Sequence, residues 1–498
     1  MKRSAADSWP ISCRSAGVIL VASLLAVAGC SGDSQAPANS PELPRGDTSP
    51  FEGYTLVAPL QSNTIYMVDM AGELVHQWET DYPGGSLYML ENGNLFRGTR
   101  ESDPVGVFRG GGEGGILQEI AWDGTVVWEF KYSTKEYRHH HDIAPMPNGN
   151  VLLIAWEGKT ADEAAAAGIN LERLDNEELW PDFVVEIEPQ RPDGGKVVWE
   201  WHAWDHLVQE HDESKANYGI VSAHPELIDI NAAAAHRERA ALATPETVER
   251  LKALGYVGGD IDQDNRPNIS WDWLHTNSID YNPEKDEILL NIRTFSEFWI
   301  IDHSTTTEEA AGHSGGRSEK GGDLLYRWGN PEAYGTATPA DRQLFVQHDA
   351  HWIPPGRAGA GNIMVFNNGT GRAEDPYSSV DEIAPPIDAD GDYIMHPDMA
   401  AGPLTPVWSY KDPEPTKMYS PLVSGSQRLP NGNTLICVGE GGQLREIGAG
   451  GAIVWEFKNP YVEEPAEGEP RRGGPGPGSV FRALRIPIDH PGLGPLID

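Results

Sequence analysis

Cysteine is scarce in this chain, which has only three among its 498 residues. Cys13 and Cys30 belong to an apolar N-terminal segment, whereas Cys437 lies alone in a run of β-branched and apolar residues. If the segment is removed and Cys30 is modified, one thiol remains, so an intramolecular disulfide is excluded in the mature chain. Cys437 is predicted to be a small buried apolar residue rather than a nucleophile.

Basic residues are also few, because 37 Lys and Arg stand against 75 Asp and Glu, which gives a formal net charge of −38. Such a surface repels phosphate groups, so nucleic acid and anionic membrane surfaces are excluded as partners. A phosphate-binding loop with its lysine is absent, and a glycine-rich match at 110–115 precedes a strand instead of opening a helix. The sequence shows no dense set of histidine and carboxylate ligands either. No cofactor and no metal are therefore predicted.

The N-terminus has the pattern of a bacterial targeting segment. Basic residues precede an apolar run over 16–28 that ends in Ala-Gly-Cys30, which fits a secretory signal with a lipobox. Residues 1–29 are predicted to be a signal peptide, Cys30 the lipidation site, and residues 30–50 a lipidated tether. The serine after Cys30, by resemblance to other lipoproteins, favours the periplasmic face of the outer membrane. An ordinary signal peptide followed by a chance cysteine is the alternative.

A short sequence motif recurs along the rest of the chain. Its second half closes on a tryptophan in six copies, at Trp78, Trp128, Trp199, Trp328, Trp408 and Trp455. Its first half begins at an opening position, which is occupied in order by Gly85, His141, His275, His348 and Ser424. Each unit is a small antiparallel sheet that cannot bury both faces alone. The pattern predicts an all-β fold, a six-bladed β-propeller over residues 51–490. A solenoid is the competing arrangement, but the irregular unit lengths favour a closed ring.

Two stretches interrupt the β pattern and predict helical insertions between blades, over about 158–180 and 205–270. The stretches 160–179 and 232–254 are rich in residues that favour helices, and Thr-Pro-Glu at 244–246 fits a helix start. We expect both insertions to lie on top of the propeller or beside it.

Histidine occupies three successive opening positions, at His141, His275 and His348. Because equivalent positions in repeated sheets lie in equivalent places, these side chains are expected to gather around one axis, with Arg293 and Arg372 arriving from neighbouring strands. Neutral imidazole is a nucleophile and a proton carrier near pH 7, and guanidinium binds the oxygens of anionic groups. The set suits transfer of a sulfuryl or phosphoryl group. Alternatively, each histidine only hydrogen-bonds the adjoining blade.

Four segments resemble the bacterial arylsulfate sulfotransferase family. They are Trp273-Leu274-His275-Thr276-Asn277-Ser278-Ile279, Asn291-Ile292-Arg293, Gly322-Asp323-Leu324-Leu325-Tyr326-Arg327-Trp328-Gly329-Asn330-Pro331 and Phe366-Asn367-Asn368-Gly369-Thr370-Gly371-Arg372. The resemblance implies a periplasmic six-bladed propeller enzyme that needs no phosphoadenosine phosphosulfate. It would move a sulfuryl group from a phenolic ester to a phenol through a sulfohistidine. Residue by residue, His275, His348 and Arg372 match active-site positions, and Asn368 belongs to the matched segments.

The chain departs from the family at one position. The sulfated histidine is expected in the last blade, where the opening residue here is Ser424, and no histidine occurs between His396 and His490. The candidates for the nucleophile are then His348 and His275, with His141, Arg293, Asn368 and Ser424 as further pocket residues. Two other functions stay open from the sequence, a non-catalytic anion-binding propeller lipoprotein of the same fold and a metal-dependent hydrolase.

Overall fold

The computed structural model describes residues 46–102, 104, 106–174, 178–232, 272–372, 377–462, 476 and 478–494. Within them, six four-stranded antiparallel sheets follow one another along the chain. The six-bladed β-propeller predicted from the repeat is therefore confirmed. The predicted signal peptide, Cys30 and most of the tether lie outside the described residues.

The strands fall into blades in chain order. Blade one contains β1 (Gly53–Val57), β2 (Thr64–Val68) and β3 (Leu74–Glu79). Blade two contains β4 (Ser86–Met89), β5 (Leu95–Arg100), β6 (Gly115–Ile120) and β7 (Val126–Lys131). Blade three contains β8 (Tyr137–Pro145), β9 (Val151–Glu157), β12 (Asp182–Gln190) and β13 (Gly194–His202), with the short pair β10 (Lys159–Thr160) and β11 (Glu178–Leu179) inserted after β9.

The second half continues in the same way. A short parallel pair, β14 (Leu207–Val208) and β15 (Ile228–Asp229), precedes blade four, which contains β16 (Thr276–Asn282), β17 (Glu287–Ile292), β18 (Glu297–Asp302) and β19 (Tyr326–Trp328). Blade five contains β20 (His348–Trp352), β21 (Ile363–Asn367), β22 (Ser379–Ile383) and β23 (Trp408–Tyr410). Blade six contains β24 (Gly425–Arg428), β25 (Thr434–Val438), β26 (Gln443–Ile447) and β27 (Ile453–Lys458).

The C-terminal strand closes the ring. β28 (Leu484–Pro487) pairs antiparallel with β1 and occupies the first position of blade one. Proline follows the openings His141, His348 and Ser424 by six positions, and Pro487 follows Phe481 by the same number. Phe481 is therefore the sixth opening position. The peptide N–H of Ser424 donates to the carbonyl of Phe481 at 3.0 Å, which joins the fifth opening to the sixth.

The closing tryptophans pack between blades. Four of them, Trp78, Trp128, Trp199 and Trp328, are at most 4% exposed. Three indole N–H groups donate to the next blade or its connections: Trp128 to the Gly194 carbonyl (2.7 Å), Trp199 to Thr305 Oγ1 (3.2 Å) and Trp328 to the Pro403 carbonyl (2.7 Å). Each of these three side chains thus buries a large apolar surface while its polar group is satisfied. Truncating one to alanine would cost about 3–5 kcal/mol.

The first insertion is helical over a short stretch only. Helix α1 (Ala161–Ala166) begins with a capping box in which Thr160 and Glu163 bond each other's backbone, and it lies between β10 and β11. A second α-helix, α2 (Thr307–Ala310), has the same cap from Thr306 and Glu309. No helix in the described part of the chain is long and apolar enough to cross a bilayer.

The second insertion, predicted to be helical over 205–270, differs in its described part. Residues 205–232 contain the parallel pair β14 and β15 and a 3₁₀ turn at Val221–Ala223. The reason is turn chemistry, because the Asp212 carboxylate accepts the Ser214 N–H at 2.9 Å and a proline follows at 225. The helix predicted over 232–254 lies outside the described residues except for its first position.

Cys437 lies in β25 and is 1% exposed, as predicted. Burial raises the pKa of its thiol, so the sulfur is protonated at neutral pH.

Candidate active site

The opening positions of the histidine blades have an unusual backbone. His141 and His275 adopt positive φ angles of 53° and 50°. In each of these blades, and at His348, the pairing of the first strand with the second shifts register at or beside the opening. Such bulges redirect side chains and are frequent beside active sites. The rings of His141 and His275 meet with centroids 4.5 Å apart. The structure thus brings the predicted histidines together at the first strands of neighbouring blades.

His275 forms a buried pair with Asp272. Its Nδ1–H donates to Asp272 Oδ2, and Asp272 Oδ1 accepts the indole N–H of Trp156 at 2.9 Å. The carboxylate therefore selects the tautomer of His275 with its lone pair on Nε2. Burial lowers the pKa of His275, and the charge of Asp272 opposes that shift. Asp272 was missed in the sequence; the only available signal was an acid three residues before an opening histidine.

His348 has its tautomer set by an amide. Its Nδ1–H donates to Asn368 Oδ1 at 2.7 Å, and Asn368 Nδ2 donates to the carbonyls of Ser420 (2.7 Å) and Val423 (3.0 Å). The two carbonyls orient the amide, so the lone pair of His348 lies on Nε2. That nitrogen has no hydrogen-bond partner among the described residues. Burial, followed by the positive charge of Arg293, lowers the pKa of His348 to about 3. His348 is therefore a neutral imidazole throughout the physiological pH range.

His141 completes the group and contacts its sequence neighbour. Nδ1 of His141 lies 2.7 Å from Nδ1 of His140, whose Nε2 is 3.4 Å from Asp182 Oδ1. Burial and the neighbouring His275 hold the pKa of His141 well below its usual value. A Cβ on Gly112 would come within 2.1 Å of His141 Nε2, and Gly112 has φ +74°. The glycine-rich segment at 110–115, which does not fit a nucleotide-binding loop, therefore packs closely against this imidazole.

A cavity of about 130 Å³ lies beside His141. Glycine backbone at 84–85, 98, 110–112 and 114 forms much of its wall, and His139, Val423 and Phe481 add side chains. Cavities of about 150 Å³ hold a benzene ring in other proteins, so this volume fits one small aromatic ring. Phe481 gives the ring an aromatic surface to pack against.

The two predicted arginines, Arg293 and Arg372, have different surroundings. Arg293 is buried, and its charge lowers the pKa values of His348, His275 and His141, which puts the guanidinium beside the histidines. Arg372 lies over the rings of Tyr377 (4.1 Å) and Phe345 (4.8 Å), and its Nη2 donates to Ser379 Oγ at 3.2 Å.

Ser424 is buried at the fifth opening, but its hydroxyl is engaged with the backbone. Oγ donates to the Leu422 carbonyl at 3.2 Å and accepts the Gly439 N–H at 2.9 Å. These bonds stabilise the loop before β24, where Ser424 has φ 86°. The residue thus has a structural role at the position where a histidine stands in three other blades.

Arg482 contacts residues of three blades and was not predicted from the sequence. Its guanidinium donates to Asp142 Oδ1 at 2.5 Å and to Asp349 Oδ1 at 3.0 Å, and it also contacts the hydroxyl of Tyr88. Asp142 directly follows His141, and Asp349 directly follows His348. One buried ion-pair network therefore ties together the backbones that carry two of the three histidines.

Most of the chain matches one protein family. The sequence profile of Arylsulfotransferase (ASST) matches residues 52–463. The chain belongs to the arylsulfotransferase family. Membership indicates a transferase with an arylsulfotransferase-like function and implies aryl sulfates and phenols as substrates. No curated protein matches the chain.

Several solved structures are similar to the chain at low identity. A Bacteroides caccae protein of unknown function is 11% identical over 87% of this chain and 99% of that chain, with a TM-score of 0.43. Virginiamycin B lyase from Staphylococcus aureus is 10% identical over 84% of each chain, with a TM-score of 0.35. A periplasmic gluconolactonase from Pseudomonas aeruginosa is 12% identical over 82% of this chain and 95% of that chain, also at 0.35. These similarities carry no information about the site.

Proposed function

We propose that this arylsulfotransferase moves a sulfuryl group from a phenolic sulfate ester to a phenol through a sulfohistidine on His348, without phosphoadenosine phosphosulfate. The observation that carries the proposal is the hydrogen-bonded tautomer of His348. Asn368 Oδ1 accepts the hydrogen bond from Nδ1–H, so Nε2 presents its lone pair in a site that also contains two other histidines and Arg293. A nucleophile held in one tautomer needs no base to remove a proton before attack.

The first half-reaction forms one bond and breaks one. Nε2 of His348 attacks sulfur, and the bond from sulfur to the aryl oxygen breaks with its electron pair on oxygen. The departing phenolate takes a proton from the protonated form of His275, which Asp272 stabilises through the hydrogen bond to Nδ1. Arg293 offsets the negative charge of the sulfuryl oxygens during the attack.

The second half-reaction reverses these roles. The acceptor phenol gives its proton to His275 as its oxygen attacks sulfur, and the bond from sulfur to His348 Nε2 breaks. His348 regains its lone pair and His275 its proton, so the enzyme returns to its starting state. The low pKa of His348 favours this step because a weakly basic imidazole is a good leaving group. The cavity beside His141 offers room for the ring of the acceptor.

His348 accounts for the missing histidine of the last blade. Ser424 has both hydroxyl interactions committed to the backbone, which makes it a poor substitute nucleophile. His348 lies at the equivalent opening of the preceding blade and faces the same group of side chains. We infer that the covalent step has moved from blade six to blade five in this chain.

Intact-mass measurement tests the covalent step. Incubation with 4-nitrophenyl sulfate in the absence of a phenol should add the mass of one SO₃ group to each chain, and peptide mapping should locate it on His348. Addition of phenol should remove the mass and produce phenyl sulfate. A chain that binds aryl sulfates but neither gains mass nor releases nitrophenol would be a binding protein rather than a transferase.

We further propose that the chain is a lipoprotein on the periplasmic face of the outer membrane. Cys30→Ala should leave export intact but abolish acylation, since the diacylglyceryl group is attached to that thiol. The variant should move from the membrane to the soluble periplasmic fraction in cell fractionation. Cys13→Ala is the matched control and should stay with the membrane. Membrane association of Cys30→Ala equal to that of the parent would contradict the anchor.

A further inference from the structure

Two histidines and one aspartate meet on the connections around blade four, apart from the opening positions. His206 follows the 3₁₀ turn Ala203–Asp205, His313 lies in the loop after α2, and Asp323 precedes β19. One donor atom from each lies within 4.8 Å of the other two. Nδ1 of His206 is 2.8 Å from Asp323 Oδ1, and Nδ1 of His313 is 2.7 Å from the same oxygen.

His206 lies between two acceptors. Its Nε2 is 2.8 Å from the carbonyl oxygen of Ala310, which can only accept, so Nε2 carries a proton and donates it. In neutral His206 the lone pair then lies on Nδ1 and faces the carboxylate of Asp323. Two acceptor atoms at 2.8 Å repel each other unless a positive charge lies between them. That charge is either a second proton on the imidazole or a metal ion.

The surroundings hold the buried ligand in one orientation. The ring of His206 stacks on Trp201 with centroids 5.7 Å apart and planes 6° from parallel. A Cβ on Gly322 would come within 2.0 Å of the Ala310 carbonyl oxygen and 2.6 Å of His206 Nε2, so the close packing requires glycine there. The hydrogen bond from Nε2 to Ala310 is the kind that orients histidine ligands in metal sites.

The site is open on one side. The side chain of His206 is fully buried and that of Asp323 is 10% exposed, whereas that of His313 is 61% exposed. Solvent can therefore reach the common point of the three donors, which provides an entry path for an ion and a water ligand. Two imidazole nitrogens and one carboxylate oxygen suit Zn²⁺ and similar transition metals rather than Ca²⁺ or Mg²⁺.

We infer that His206 Nδ1, His313 Nδ1 and Asp323 Oδ1 bind one Zn²⁺ or a similar divalent transition-metal ion, with water as the fourth ligand. The ion replaces the proton between nitrogen and carboxylate, and it joins the loop after α2 to the start of the second insertion. The sequence predicts no metal here because His206 and Asp323 are 117 positions apart. The ligands become neighbours only in the folded chain.

Titration of the metal-free protein with Zn²⁺, and with Co²⁺ for its visible spectrum, tests the site. We expect one tight site per chain with a tetrahedral Co²⁺ spectrum. His313→Ala and Asp323→Asn should each weaken binding by more than about tenfold. Both substitutions avoid the buried His206, whose removal threatens folding. Zn²⁺ should also raise the melting temperature of the parent but not that of His313→Ala.

His224→Ala is the matched control. His224 is 45% exposed, and its Nδ1 lies 2.9 Å from a carboxylate oxygen of Glu226, so it is a second histidine–carboxylate pair on the same insertion. This variant should keep the affinity of the parent. Equal Zn²⁺ affinity in the parent and His313→Ala, or no binding to the parent, would overturn the assignment and leave a proton as the bridge between His206 and Asp323.

Discussion

Replacing His348 by alanine is expected to lower kcat for sulfuryl transfer by about a thousandfold or more, because the covalent intermediate cannot form. The residual rate would reflect binding and charge stabilisation by the remaining side chains. No SO₃ adduct should appear in the intact mass after incubation with 4-nitrophenyl sulfate. His348→Gln should be as inactive, and it keeps an amide donor near Asn368 if the alanine variant is poorly folded.

His303→Ala is the control for this loss. His303 is also largely buried, but it lies between Asp286 (2.7 Å) and Glu186 (3.2 Å) at the far end of β18. Its removal should affect stability and leave the adduct intact. Formation of the adduct in folded His348→Ala would contradict the assignment and direct attention to His275.

The pH dependence of adduct formation follows from the same geometry. A pKa of about 3 for His348 means that the imidazole is neutral above that pH, so lowering the pH from 8 to 5 does not protonate the nucleophile. With 4-nitrophenyl sulfate the rate of adduct formation should therefore stay nearly constant over this range. A loss of rate that follows an ordinary histidine titration near pH 6.5 would argue for another nucleophile.

Asp272→Asn is expected to have the second largest effect, with kcat for phenyl sulfate lowered by about 10³–10⁴-fold, as for other histidines that lose an orienting carboxylate. The asparagine oxygen still accepts the indole N–H of Trp156, so its NH₂ group faces His275 Nδ1. The imidazole then takes the opposite tautomer and cannot exchange a proton through Nε2 as before. Stopped-flow and steady-state measurements with phenyl sulfate and with 4-nitrophenyl sulfate would separate formation of the adduct from transfer to the acceptor phenol.

The choice of donor distinguishes a positioning role from a loss of folding. With 4-nitrophenyl sulfate, adduct formation in Asp272→Asn should fall much less, because nitrophenolate leaves with little help from an acid. Burial lowers the pKa of His275. The protonated form of His275, which acts as the acid, therefore becomes less populated as the pH rises. Turnover of phenyl sulfate by the parent should fall with it. An equal loss with both donors would indicate damage to the site rather than to proton transfer.

The repeat made much of the fold predictable. Six closing tryptophans define six blades because each must pack against the neighbouring sheet, and the spacing of these residues is written in the chain. The capping boxes of α1 and α2 are also encoded locally, because each is formed by two residues three positions apart in the chain. The second insertion was harder, since the residues at 205–232 form turns and a parallel pair whose partners are about twenty positions apart.

The candidate site was predictable only in outline. Equal register positions in repeated strands were enough to expect His141, His275 and His348 to gather, and two of their rings touch. Asp272, His140 and Arg482 were missed because no repeat marks them. Their roles depend on contacts with Trp156, Asp182, Asp142 and Asp349, which come from other parts of the chain.

The amino-acid sequence by itself determined the number of blades, five of the six opening positions and the residue types at those five, because these properties depend on periodicity and local turn chemistry. Only the tertiary structure decided that Phe481 is the sixth opening, since this follows from the pairing of β28 with β1 in blade one. It also decided the tautomers of His275 and His348, because a proton's position depends on which acceptor lies within hydrogen-bonding distance. Such distances arise when distant segments pack together, and spacing along the chain does not encode them directly.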